Sequence, residues 1–263
     1  MINLIRAEVY TILRGKALYI TFGAMFILHI LVIATQMNIG VNFASVEGIG
    51  LDMPDVGFDG IRSAELLYTN TDNIIFFLLP LIILATGPIF TFGTVKNDIS
   101  WGISRTKLYL SKLLVSMGLC VLMMVFYMGV GMLLATVLNG FGGQVPDGYW
   151  INLFQTVGAQ LFMLLATTCL GVFLVFLTKS TLAASGLYMG VVIVPAIVIT
   201  MLADGGMNVL QLLDFDLMIG INRLGFLSQL EARNIYTILG VGALYMLVTT
   251  IGGITLFRRA EIK

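Results

Sequence analysis

The chain has 263 residues, of which 59% are hydrophobic and only 11% charged, and its mean hydropathy is +1.00. Ordinary water-soluble domains carry about 25% charged residues, so a soluble globular reading is excluded, as is a disordered chain. Fourteen Lys and Arg balance fourteen Asp and Glu, which argues against a nucleic-acid partner.

The first element is Met1–Lys16. Ile2, Ile5, Val9, Ile12 and Leu13 recur at helical spacing among Arg6, Glu8 and Arg14, the pattern of an interfacial helix lying along a membrane surface. Next come six charge-free stretches, 17–46, 73–95, 113–146, 148–178, 180–203 and 234–257. Each reaches the roughly 20 residues that cross about 30 Å of hydrocarbon. Unpaired backbone groups are costly in lipid, so these stretches are helices or barrel strands. Runs such as Phe76-Phe77-Leu78-Leu79 lack the alternation of a barrel strand. The expectation is an all-α polytopic membrane protein with six transmembrane helices near Ala17–Met37, Asn73–Phe92, Leu113–Leu138, Phe154–Leu177, Leu182–Leu202 and Ile235–Phe257. Residues 1–16 form the interfacial helix and 17–263 the transmembrane domain. The first span follows a 16-residue preface and does not read as a cleaved signal peptide.

The loops set the orientation. Those that share a side with the N-terminus hold 11 of the 14 Lys and Arg, and only Glu8, Asp98 and Glu261 among the acids. The other side holds Arg62, Arg223 and Arg233 and the remaining 11 acids. Positive-inside counting puts both termini in the cytoplasm of a multi-pass plasma-membrane protein. The outer loop at about 38–72 is acidic and rich in turn residues, with a short helical pattern at Ile61–Tyr68. The outer loop at about 203–234 is too apolar to be free. It reads as one or two short helices on the outer surface or dipping into the membrane. The inner loop at about 93–112 is the most basic connection, and anionic lipid heads would favour it.

Several chemistries lack their residues. No G-x-x-x-x-G-K-[ST] occurs, so the chain has no P-loop for nucleotide phosphates and no ATPase site of its own. A single histidine, His29, builds no metal site, and no hydroxyl nucleophile stands with a base, so catalytic, cofactor and metal residues are expected to be absent. The spans contain no Asp, Glu, Lys or Arg, which weighs against a proton-relay carrier. His29 in span 1 and Gln160 in span 4 are the polar candidates for lining a pathway, and each is equally a packing residue. Cys120 and Cys169 read as small packing residues. Pro80, Pro88 and Pro195 can kink their spans. Gly186 and Gly190 form a G-x-x-x-G that suits close helix packing, within the chain or against a second copy.

The inner loop carries a recognisable pattern: Gly93-Thr94, Lys96-Asn97, Gly102-Ile103-Ser104-Arg105 and Lys112, directly after a second span. With six spans, an N-terminal interfacial helix and an apolar helical element before the last span, it resembles the ABC-2-type transporter permeases. It departs from them at Ile89–Phe92, where many members carry an acid before the Gly-Thr. The small permeases of bacteriocin and lantibiotic immunity and of bacitracin resistance are similar in size. The resemblance implies an exporter of an amphipathic peptide or lipophilic cargo. It also implies two permease chains, identical or related, and two copies of a separate ATPase that binds and uses the ATP. Thr94–Tyr109 would be the coupling helix, with Trp101 as apolar anchor and Thr94, Lys96, Asn97, Ser104, Arg105 and Lys107 contacting the ATPase. Trp101 at a headgroup level is the competing role. The alternative function is a membrane scaffold or sensor whose basic loop binds lipid or a regulator.

Overall fold

The structure is a computed structural model that describes residues 2–35, 58–91, 93–204 and 210–259. The expected outer loop up to residue 57, Phe92, Glu261, Lys263 and the side chains of Lys96 and Asn97 lie outside the described residues. Every regular element among the described residues is helical. They are α1 (Ile2–Arg14), α2 (Lys16–Thr35), α3 (Ser63–Thr69), α4 (Ile74–Thr86), α5 (Pro88–Thr91), α6 (Val95–Ser100), α7 (Arg105–Asn139), α8 (Tyr149–Thr178), α9 (Thr181–Asp204), α10 (Leu217–Leu224) and α11 (Ala232–Arg259). Short 3-10 turns occupy Thr71–Asn73, Leu210–Phe215 and Leu227–Gln229. The protein is an all-α membrane protein: α2, α7, α8, α9 and α11 are each long and apolar enough to cross a bilayer.

The sixth crossing differs from the expected continuous helix at Asn73–Phe92. α4 has only 13 residues, about 20 Å at 1.5 Å per residue, short of the hydrocarbon thickness. α4 stops before Pro88, whose ring has no N–H to donate and clashes with the preceding turn. The missing length comes from upstream. α3 and the segment Thr71–Thr86 pass as one apolar span bent by 57°. The crossing therefore begins ten residues earlier than hydropathy placed it, and residues 63–72 leave the expected outer loop to join the bundle.

α8 is the central helix. It packs against α4, α7, α9, α10 and α11, whereas α9 is buried over only 22% of its apolar window and α2 over 28%. α10 is buried along its whole length and wedges against α3, α8, α9 and α11. The apolar outer loop thus dips into the bundle. Asp216 starts this helix, its Oδ1 accepting from Met218 N and Ile219 N at 2.9 Å each. Among the described residues, nothing beyond the adjoining backbone of α9 lies within 4 Å of where a side chain on Gly186 or Gly190 would begin, and both glycines are exposed.

α1, the start of α7 and the end of α11 meet at one end of the bundle. Lys112 Nζ of α7 stands 3.4 Å from Glu8 Oε1 of α1, an ion pair with both side chains at or below 10% exposure. Ser111 Oγ donates to the same oxygen at 3.0 Å. Arg105 Nη1 donates to the Phe257 and Arg258 carbonyls at 3.3 and 3.0 Å, capping the carbonyl end of α11, where a cation is favoured. Beside them Phe176 of α8 is ringed edge-on by Tyr109, Phe257 and Phe90 at centroid distances of 4.8, 4.9 and 5.3 Å. Gly253 makes this approach possible, because a Cβ there would collide with the Tyr109 ring.

Candidate functional site

Two regions carry polar side chains in positions that packing alone does not demand. The first is the connection from α5 to α7, where the basic loop motif lies. It is not one coupling helix over Thr94–Tyr109. α6 ends at Ser100, the chain turns through Gly102 at φ 81°, and α7 starts at Arg105. Ser104 causes the second start: its extended backbone and its Oγ, which accepts from Lys107 N, make an N-cap. Trp101 at the turn is 85% exposed, Lys107 is exposed and Thr94 is half-buried. Arg105 is partly committed elsewhere, to the end of α11. Val95, by contrast, is buried and anchors α6 on the bundle. The motif therefore divides into residues that shape the corner (Gly102, Ser104, Arg105, Lys112) and residues that face outward (Trp101, Lys107).

The second region is the bend between α3 and α4, at the other end of the bundle. Unwinding a helix here exposes backbone carbonyls, which in a membrane must be satisfied from neighbouring elements. Three helices supply the donors. From α7, the Tyr127 hydroxyl donates to Leu67 O and Asn70 O at 3.1 Å. From α8, Gln160 Nε2 donates to Tyr68 O at 2.6 Å and to Ile221 O at 3.0 Å, while its Oε1 accepts from the Thr71 hydroxyl at 3.0 Å. From α10, Asn222 Nδ2 donates to Thr69 O at 2.9 Å. Asp72 sits in the unwound turn with no exposed surface. Sequence charge places it in the outer loop, whereas the structure puts its carboxyl group inside the bundle.

The two pathway candidates fall here, in altered roles. Gln160 is fully buried with its amide engaged on both sides, so it pins the bend and lines no open path. His29 of α2 is buried, its Nδ1 donating to Met25 O at 2.8 Å and its ring edge-on to Tyr127 at 4.9 Å. With Asn70, Tyr127 and Gly131 it lines a small space of only about 30 Å³, room for water and no cargo. Open space lies above the bend instead. A groove of about 350 Å³ is lined by Glu65, Tyr68, Asp147, Tyr149 and Gln155. A neighbouring one of about 520 Å³ adds Asp59, Arg62 and Gln144.

Asp72 and Asn222 had no local signal in the sequence; each looks like an ordinary loop polar residue. The turn residues Thr69-Asn70-Thr71-Asp72-Asn73 did offer one, because five consecutive turn-forming residues directly before an apolar run mark a helix break.

The architecture is that of a polytopic helical membrane protein with one broken span. The family model described as a protein of unknown function, DUF2705, matches residues 21–263, and the chain belongs to that family. Curated proteins offer no match to it.

Proposed function

We propose that this chain is the permease subunit of an ATP-driven exporter of the ABC-2 type, working in the plasma membrane with both termini in the cytoplasm. Two such chains form the pathway, and two separate ATPase chains bind and hydrolyse the ATP. The observation that carries the reading is the corner at α6: a short helix with a bare Trp101 at the end of the bundle where the terminal helices meet. At the same end of the bundle, Phe90, Tyr109, Phe176 and Phe257 meet ring to ring and join α5, α7, α8 and α11. A partner docked on α6 would act through the buried Val95 that anchors it on the bundle. The Lys and Arg surplus at this end supports the cytoplasmic assignment.

The acidic, tyrosine-lined grooves at the far end suit an amphipathic, cationic peptide, through carboxylate contacts and cation–π faces. The uncovered G-x-x-x-G face of α9 leaves a close-packing surface for a second permease chain.

Affinity purification of the tagged chain from its native membrane in mild detergent tests this. A protein carrying a P-loop is expected to copurify, and the complex to hydrolyse ATP. A chain that isolates alone, without ATP hydrolysis, overturns the reading. Trp101→Ala is expected to cost about 2 kcal/mol of docking, roughly 30-fold in affinity, while leaving membrane insertion unchanged. Undiminished copurification would return Trp101 to a headgroup anchor.

A further inference from the structure

Among the described residues Asp72 is the acid placed at the bend of the broken span, and no donor around it is well aimed at its carboxyl. Neither Oδ1 nor Oδ2 accepts a hydrogen bond of good geometry among the described residues, although the Asn222 amide and the Asp72 and Asn73 N–H groups stand close by, and no ion pair there includes it. The nearby Tyr127 hydroxyl is directed at Leu67 O and Asn70 O. The Asn222 amide beside it directs Nδ2 at Thr69 O, and its Oδ1 is buried and lacks a donor, as is Asn70 Oδ1. The buried side-chain oxygens of Asp72, Asn70 and Asn222 thus lack a well-formed hydrogen bond, which leaves the set incomplete. An ionised carboxylate in this place would be buried without a compensating charge.

The charged and titratable groups around it are otherwise engaged. α7 offers Tyr127. α2 offers His29, which lies beyond Tyr127 and turns its Nδ1 to Met25 O. Arg223 of α10 pairs with Asp214. Glu65 of α3 acts on Tyr68 and Tyr149. α4 contains no ionisable residue, and α8 contributes the neutral Gln160.

We propose that Asp72 is a proton-binding site built into the broken span. With the bend closed as seen, its carboxyl is neutral and its O–H is shared with the Asn222 side-chain oxygen. When α3 and α4 straighten and admit water, the proton passes to water and the carboxylate becomes hydrated. A bound proton therefore holds the bend shut. The site is independent of any ATPase and stands or falls apart from the exporter reading.

Infrared difference spectroscopy of the full-length protein in lipid vesicles tests it at neutral and mildly alkaline pH. The expected result is a carbonyl stretch of a protonated carboxyl at neutral pH that shifts in D2O and is missing from Asp72→Asn. That variant is isosteric with the neutral acid and is expected to keep the wild-type melting temperature at neutral pH. Should it fail to fold, Asn222→Leu serves instead, and is expected to move the same band to higher frequency by removing the acceptor. The wild-type melting temperature should fall as pH rises, equally in sodium and potassium salts. Absence of the band at neutral pH, its persistence in Asp72→Asn or indifference to Asn222→Leu would overturn the proposal. So would stabilisation by sodium alone, which would make the ligand a metal cation.

Discussion

A single buried carboxylate outside the spans shows how residue-level electrostatics work in this protein. Asp216 is 7% exposed, and burial pushes its carboxyl from 3.8 up to about 6, against the pull of the Ile219 and Met218 N–H groups that it accepts from. A carboxyl raised on folding contributes stability that is complete below its unfolded value and is lost as pH rises through its folded one. At neutral pH the charged form is thus a liability of up to about 3 kcal/mol, retained because the cap is needed. Asn accepts the same two N–H groups without a charge and caps as well as Asp. Asp216→Asn is therefore expected to melt at or above the wild-type temperature at pH near 7.5, with the difference shrinking as the pH drops from about 6 towards 3.8. Asp216→Ala loses the acceptor at every pH, and is expected to lie about 1 kcal/mol below Asp216→Asn throughout. A neutral-pH melting temperature for Asp216→Asn well below wild type would refute the assignment. None of this was legible in the sequence, where Asp216 registers only as one negative charge in a loop. Its burial depends on α10 being drawn into the bundle.

At the scale of elements, hydropathy located the long helices well because a helix in lipid satisfies its own backbone. The expected Ile235–Phe257 is the inner part of α11, and the expected Phe154–Leu177 the inner part of α8. Hydropathy failed where the backbone is satisfied by distant residues. Thr71 and Gln160 are 89 positions apart, and no window average links them. The same distance explains why Gln160 looked free to line a pathway. The carbonyls of Tyr68 and Ile221 both depend on its Nε2, and an unpaired buried carbonyl costs about 1–3 kcal/mol. Gln160→Leu is therefore expected to lower stability by at least about 2 kcal/mol in detergent unfolding. Gln155→Leu, one turn away on α8 and exposed, is expected to change it by less than about 0.5 kcal/mol. Equal effects of the two substitutions would mean that Gln160 does not pin the bend.

For the whole molecule, the balance of fourteen positive and fourteen negative charges conceals a separation between its two ends. The end with the α6 corner gathers Arg105, Lys107 and Lys112 around the first turns of α7, while the far end gathers Asp59, Glu65 and Asp147 around the grooves. The two tryptophans repeat the division. Trp101, 85% exposed, precedes α7, and Trp150, 49% exposed, opens α8. α7 has 35 residues, about 52 Å of helix, so it joins these ends with length to spare over a hydrocarbon core of about 30 Å. The proposed inward-facing end rests on the Lys/Arg excess at one side, since tryptophans flank both interfaces alike. The chain offers a clean reporter for that, because its two cysteines, Cys120 and Cys169, are both buried and blind to a charged maleimide. Lys107→Cys and Gln144→Cys each place one thiol at an exposed position, at opposite ends of α7. In intact cells, a membrane-impermeant maleimide is expected to label the Gln144→Cys protein and spare Lys107→Cys, and in inverted vesicles the pattern should reverse. Labelling of Lys107→Cys in intact cells would turn the molecule over. The α6 corner would then face away from any cytoplasmic ATPase, and the exporter reading would lose the surface on which it depends.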